Sequence, residues 1–87
     1  MKFHYDVHMK KRSLFLLRAE RRITQDRLVR IIARHLPKGR TMSQARYSQI
    51  ENCVGKHPDD DEQRAVAAAL DVTVSDVKWA DVEAKAS

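Results

Sequence analysis

The sequence predicts an all-α fold of five short helices, preceded by an N-terminal segment with a different pattern. Three observations support this prediction. Apolar residues recur at helical spacing along most of the chain. Serine or threonine stands before four of these stretches, where it can cap a helix. The two glycines and two prolines fall between the stretches or at their ends. A chain of 87 residues holds one modest core, so we expect a single small domain that a dimer would help to stabilise.

Residues 1–12 form an N-terminal arm whose first part alternates between apolar and polar residues. Such alternation is typical of a half-buried strand, although a frayed tail fits about as well. A lone strand leaves its edges unpaired, so its natural partner is the same strand of a second subunit. Trp79, near the end of the chain, is the alternative dimer contact. The expected dimerisation residues of the arm are Phe3, Tyr5, Val7 and Met9.

The first two helices are predicted from their caps and their apolar spacing. Ser13 can cap a helix that runs to about Arg22, and Thr24 can cap a second helix that runs to about His35. Their inward-facing residues are expected to be Leu14, Leu17, Leu28, Ile31 and Ile32.

Three further helices follow a basic loop that contains a proline and a glycine. Ser43 is a suitable cap for the third helix. Pro58 and the acidic residues after it suit the start of a fourth helix that ends at Leu70, because negative charge favours a helix N-terminus. Thr73 is expected to cap a fifth helix, whose apolar members would be Val74, Val77 and Val82.

Basic charge is concentrated in the first part of the chain. Residues 1–56 hold 14 of the 17 lysines and arginines and 4 of the 12 acids, giving +10. Residues 57–87 hold 3 basic and 8 acidic residues, giving −5. This asymmetry favours a polyanionic partner, most simply nucleic acid, over a surface that is merely soluble.

Several classes of function find no support in the sequence. Neither a signal peptide nor a membrane-spanning run is present, and the single cysteine, Cys53, excludes an internal disulfide, so a cytoplasmic protein is expected. No paired carboxylates, nucleophile–base pair or glycine-rich loop predicts an enzyme or a cofactor. His4, Asp6 and His8 share one face of the arm, but three ligands along one strand span too far for one metal ion.

Three motifs carry a resemblance to a known family. The chain has an apolar–Glu–Asn sequence at Ile50–Asn52 and a helix-ending sequence at Ala69–Thr73. Together with the opening motif, they are similar to the Cro/phage-repressor-like (Xre-type) helix-turn-helix family over about residues 13–79. The opening motif consists of Leu14, Leu17, Arg18, Arg21, Ile23, Thr24 and Gln25.

The resemblance implies a role for each motif. Residues 13–87 would form the DNA-binding domain, with the third helix as its recognition helix. Arg18 and Glu51 would form an internal ion pair. Glutamine suits base reading because its amide pairs with adenine in the major groove, and alanine leaves space for a thymine methyl group. The expected base-reading residues are Gln44, Ala45, Arg46 and Gln49. The expected phosphate-binding residues are Thr24, Gln25, Arg30, Arg34, Lys38, Arg40, Ser43, Ser48 and Lys56.

The sequence departs from the family pattern in three places. The turn between the second and third helices is longer by about eight residues and is expected at 33–42. Arg22 stands where glycine often ends the first helix. The loop after the third helix is two residues longer before Gly55 than the family's Asn-Gly-Lys.

The predicted function is sequence-specific binding of double-stranded DNA by a homodimeric transcriptional regulator. It would most simply act as a repressor on a palindromic operator and be associated with the nucleoid, with RNA polymerase as a further candidate partner. The alternative is an antitoxin-like module that neutralises a partner protein and binds DNA secondarily. No cofactor and no metal are expected for either.

Overall fold

A computed structural model describes residues 11–79, which are mostly helical. Within this range no helix has both the length and the apolar character that crossing a membrane requires. The apolar residues expected to form a strand at positions 3–9 lie outside the described residues. The elements in chain order are β1 (Arg12–Ser13), α1 (Leu14–Glu20), α2 (Gln25–His35), α3 (Gln44–Glu51), α4 (Asp60–Ala69), a 3-10 turn (Val74–Asp76) and β2 (Val77–Lys78).

The four α-helices in the part of the chain that the structure describes all begin at side-chain caps. The hydroxyl oxygens of Ser13, Thr24 and Ser43 accept hydrogen bonds from backbone N–H groups three residues later, at 3.1, 3.2 and 3.0 Å. Asp59 caps α4 and forms a reciprocal capping box with Glu62. The predicted starts of the four helices are therefore confirmed. Each cap accepts a hydrogen bond from an N–H group that the helix itself leaves unpaired.

The predicted fifth α-helix is not confirmed in the described residues, although Thr73 does stand at the N-cap of a short 3-10 turn. The chain makes one 3-10 turn and then enters β2, which pairs in parallel with β1 so that Arg12 aligns with Val77. Val77 is fully buried and β-branched, which favours a strand. The indole N–H of Trp79 donates to the carbonyl of Val74 at 3.1 Å and fixes the turn. Val82, the last member of the expected helix, lies outside the described residues.

The core is organised around α2, which packs against both α3 and α4. Tyr47 is the largest fully buried side chain, and Leu28 and Ile32 of α2 are also fully buried. The strand pair adds Val77 at the edge of this core. The remaining large buried side chains are Leu14, Leu17, Leu36, Met42, Ile50, Val66 and Leu70.

The connection between α2 and α3 spans residues 36–43. The predicted start at residue 33 is wrong, because residues 33–35 continue α2 as far as its cap at Leu36. Leu36 and Met42 are both buried in the core. Between them Pro37 and Arg40 close a turn at 3.0 Å, with Gly39 at a positive φ of 89°. The long connection is thus held to the domain at both ends.

Within residues 11–79, three helices are each followed, directly after the C-cap, by a residue with positive φ that is not glycine. Arg22 follows α1, Cys53 follows α3 and Asp71 follows α4, with φ of 53°, 58° and 60°. After α3, the backbone N–H of Cys53 donates to the carbonyl of Ile50, and the backbone N–H of Val54 donates to the carbonyl of Gln49. This is the Schellman arrangement. Arg22 and Cys53 therefore occupy conformations that glycine adopts more easily.

Candidate nucleic-acid interface

The helix α3 has a buried side and an uncharged exposed side. Tyr47 and Ile50 face the core. Gln44, Ala45 and Gln49, three of the four residues expected to read bases, are exposed. An outward face of two amides and a methyl group carries donors, acceptors and an apolar contact, but no charge.

A buried ion pair holds the C-terminal end of α3. Arg18 donates from Nε and Nη2 to the two carboxylate oxygens of Glu51 at 2.8 and 2.9 Å, and from Nη1 to the carbonyl of Ile23 at 3.0 Å. The Glu51 side chain is only 4% exposed. Burial alone would raise the pKa of Glu51, but the hydrogen bonds and charge of Arg18, together with the nearby Tyr47 hydroxyl and the Gln25 amide, outweigh it and lower that pKa. The expected ion pair between Arg18 and Glu51 is therefore present in the structure.

Gln25 connects this ion pair to the exposed face. Its Nε2 donates to Glu51 at 3.3 Å, and its Oε1 accepts from Gln44 at a long 3.5 Å. Gln25 was expected to bind phosphate from the start of α2. In this structure its amide also joins the N-terminus of α2 to Gln44 on α3.

The hydroxyl of Tyr47 is buried beside the same ion pair. It has no hydrogen-bond partner among the described residues. Burial raises the pKa of Tyr47, so the hydroxyl stays protonated across the physiological range. Its ring fills the core, and the nearness of its hydroxyl to the carboxylate helps to lower the pKa of Glu51, a contact that the sequence did not predict.

Arg46 does not belong with the exposed base-reading residues. Its Nε and Nη2 donate to the two carboxylate oxygens of Glu62 at 2.9 and 2.8 Å, and its Nη1 donates to the carbonyl of Lys56 at 3.0 Å. The side chains of Arg46 and Glu62 are 18% and 8% exposed. The hydrogen bonds from Arg46 lower the pKa of Glu62 despite its burial. This pairing favours a structural role for Arg46 over the expected base reading, because three of the five N–H donors of its side chain are engaged within the chain.

Four of the residues expected to bind phosphate are exposed and basic. Arg30 lies 3.2 Å from Asp26 one turn earlier on α2, but its side chain is 76% exposed, so this contact is weak. Arg34, Lys38 and Lys56 are also exposed.

Arg40 differs from them because it faces acidic groups. Its Nη1 lies 3.3 Å from Asp59 and 3.4 Å from Asp61, at the start of α4. These contacts hold the α2–α3 connection to α4 and leave Arg40 less available to phosphate than its neighbour Lys38.

The hydroxyl residues expected near phosphate have local roles. Thr24 and Ser43 accept cap hydrogen bonds, although a hydroxyl that accepts still has a proton to donate. Ser48, on α3, accepts a hydrogen bond from the Asn52 amide at 3.3 Å.

Gly55, in the loop that carries the expected phosphate contact Lys56, is also a close neighbour of Gln49. A β-carbon at Gly55 would stand 3.2 Å from the Gln49 side-chain oxygen, and Gly55 has a positive φ of 76°. A larger residue there would press on the end of the Gln49 side chain, and the positive φ adds strain for any residue with a β-carbon. Their separation of six residues across a loop left no periodic signal.

Trp79 was expected at a dimer contact. It is half-buried, packs against the core of its own chain and donates its indole N–H within that chain.

Comparisons of the chain with models of protein families, with curated proteins and with solved structures found no match.

Proposed function

We propose that this chain is a sequence-specific double-stranded DNA-binding protein that regulates transcription. The observation that carries the proposal is the exposed, uncharged face of α3, with Gln44, Ala45 and Gln49 on a helix anchored near both ends by half-buried ion pairs. A rigid helix with amides outward is suited to the major groove, where hydrogen-bond patterns distinguish all four base pairs.

The electrostatics around α3 support the same proposal. Glu51, the acid at its end, is buried and neutralised by Arg18. Exposed cations flank the helix on both sides along the chain, with Lys38 in the preceding connection and Lys56 in the loop that follows. Each contact between such a cation and a DNA phosphate releases counterions, which supplies affinity without sequence preference.

A homodimer on a palindromic operator is the simplest arrangement for so small a reader. One helix contacts few base pairs, and two copies related by a two-fold axis read half-sites about one DNA turn, roughly 34 Å, apart. Such a dimer would act by occupying a promoter and excluding RNA polymerase.

Selection of bound duplexes from a random pool tests the proposal. We expect a palindromic consensus with half-sites about 10 base pairs apart. On that site Gln44→Ala is expected to cost about 1–3 kcal/mol and to relax preference at one position. Gln63→Ala, which removes an amide from α4 instead, is the matched control and should leave the preference unchanged. A pool without a consensus, or equal loss from Gln44→Ala on every duplex, contradicts the proposal.

A second candidate, an antitoxin-like module that binds a partner protein, is favoured by one observation. Phe15 and Leu16 lie next to each other on α1 and are 55% and 51% exposed. Exposed neighbouring apolar side chains are common at protein interfaces. A stoichiometric partner in native extract, released by Phe15→Ser but retained by Gln44→Ala, would favour this candidate over the first.

A further inference from the structure

The chain that leads into α3 is anchored in the core at Met42, but it is too long to set the angle of the helix to α2 in the way that a tight turn does. An eight-residue connection, 36–43, precedes the helix, whereas a tight turn would fix its angle to α2. α2 packs against both α3 and α4, but the direct contact between α3 and α4 is smaller. The packing of Tyr47 and Ile50 holds α3 in the core, so an additional polar contact is what can fix its N-terminal half against α4.

The ion pair between Arg46 and Glu62 makes this connection. Glu62 lies in the first turn of α4, and its Oε1 also accepts from the backbone N–H of Asp59 at 3.0 Å. The Glu62 carboxylate is thus held at the start of α4 as well as paired with the Arg46 guanidinium. Arg46 adds a third hydrogen bond to the carbonyl of Lys56, so one side chain joins α3, α4 and the loop between them. Two parallel hydrogen bonds fix orientation as well as distance.

We propose that Arg46 and Glu62 are positioning residues that aim the exposed face of α3 at the bases without touching DNA themselves. The inference rests on the proposed function. Arg46 follows Ala45 in the chain and points to α4, while Gln44 and Ala45 are exposed. Rotation of α3 about its axis would displace the Arg46 side chain and the exposed Gln44 and Ala45 together. A bidentate contact between an amide and adenine tolerates little displacement. The same pair holds the backbone of Lys56, a candidate phosphate contact.

Glu62→Gln separates positioning from direct contact. The substitution retains a side chain that serves in a capping box, but removes the charge that holds Arg46. If Arg46 contacted DNA, its release would leave binding unchanged or strengthen it. If the pair positions α3, affinity for the selected site should fall by about 2- to 30-fold, while affinity for a scrambled duplex changes much less.

The matched control is Asp60→Asn, which removes one negative charge from the same turn of α4 at an exposed position. Arg46→Met, alone and combined with Glu62→Gln, completes a double-mutant cycle. The two single losses of site preference should not add, because either substitution breaks the same pair. All measurements use the full chain at a temperature where circular dichroism shows it folded. If Glu62→Gln does not fold, Arg46→Lys keeps the charge and removes only the paired geometry.

Each outcome decides the inference. Loss of site preference in Glu62→Gln, with none in Asp60→Asn, supports it. Retained or increased preference in folded Glu62→Gln overturns it and leaves the proposed function standing. Additive losses in the double variant also overturn it. A wild-type chain that prefers no duplex overturns the proposed function and this inference together.

Discussion

Residues with positive φ show how individual side chains tolerate conformations that suit glycine. Arg22 and Cys53 both end helices in the left-handed region. This conformation costs a residue with a β-carbon about 1–2 kcal/mol. Glycine avoids that cost but loses more backbone freedom on folding, by roughly 0.5–1 kcal/mol. The two positions therefore retain a small, removable strain.

Arg22→Gly and Cys53→Gly are each expected to raise the free energy of unfolding by about 0.5–1 kcal/mol, the difference between these two effects. Urea denaturation followed by circular dichroism measures the change. Ala19→Gly, at an exposed position inside α1, is the matched control and should cost about 1 kcal/mol. If all three substitutions destabilise the protein equally, the left-handed conformations at 22 and 53 carry no strain.

The buried carboxylate of Glu51 makes stability depend on pH. Because its pKa is lower in the folded protein than the ordinary 4.5, its contribution is fully present above that pH. The contribution is lost as pH falls through the lower folded value. We expect the free energy of unfolding of the wild type to decline below about pH 4.5 and that of Glu51→Gln to decline less. Denaturant titrations between pH 7 and 3 measure both slopes.

Glu20→Gln is the control for this titration, since the Glu20 side chain is 54% exposed. It should retain the wild-type slope. A Glu51→Gln variant with the same slope as the wild type would show that Arg18 does not hold this carboxylate ionised.

At the scale of the elements, local signals predicted helix starts well and long-range partners poorly. Ser13, Thr24 and Ser43 cap helices because a cap depends on residues only three positions away. The pairing of Arg46 with Glu62 depends on how α4 lies against α3, and a separation of sixteen positions along the chain gives no periodic sign of it. Arg46 therefore looked like an exposed arginine.

The last predicted helix failed for a related reason. The spacing of Val74 and Val77 fits a helix, but the strand pair with β1 and the hydrogen bond from Trp79 decide the outcome. Both are tertiary interactions, and they override a short local pattern. Likewise, the basic residues, proline and glycine of the 36–43 connection gave no indication that Leu36 and Met42, near its ends, are buried.

Because the 36–43 connection is anchored in the core, we expect its apolar residues to matter more for stability than its charged residues. Met42→Ala should lower the free energy of unfolding by about 2–5 kcal/mol, because it leaves a cavity in the core. Lys38→Ala, in the same connection but exposed, should change it by no more than about 0.5 kcal/mol. Equal small effects in urea denaturation would mean that Met42 is not held in the core.

For the whole molecule, the distribution of charge separates specific binding from general attraction to polyanions. The net charge of +5 includes acids gathered at the start of α4, where Asp59 and Asp61 face Arg40. Exposed lysines remain on either side of α3 and also on β2, at Lys78. Attraction by net charge alone would treat these lysines alike, whereas a defined interface would not.

Salt dependence of binding tests this distinction. Lys56→Ala is expected to weaken binding to all duplexes and to reduce the slope of log K against log salt by about 1, because one phosphate contact and its released counterion are lost. Base preference should remain, since phosphate contacts carry no sequence information. Lys78→Ala removes the same charge from the strand pair, outside α3 and its flanking loops, and should leave the slope unchanged. Equal reductions from both substitutions would mean that the chain binds through its net charge, with no defined face toward the duplex.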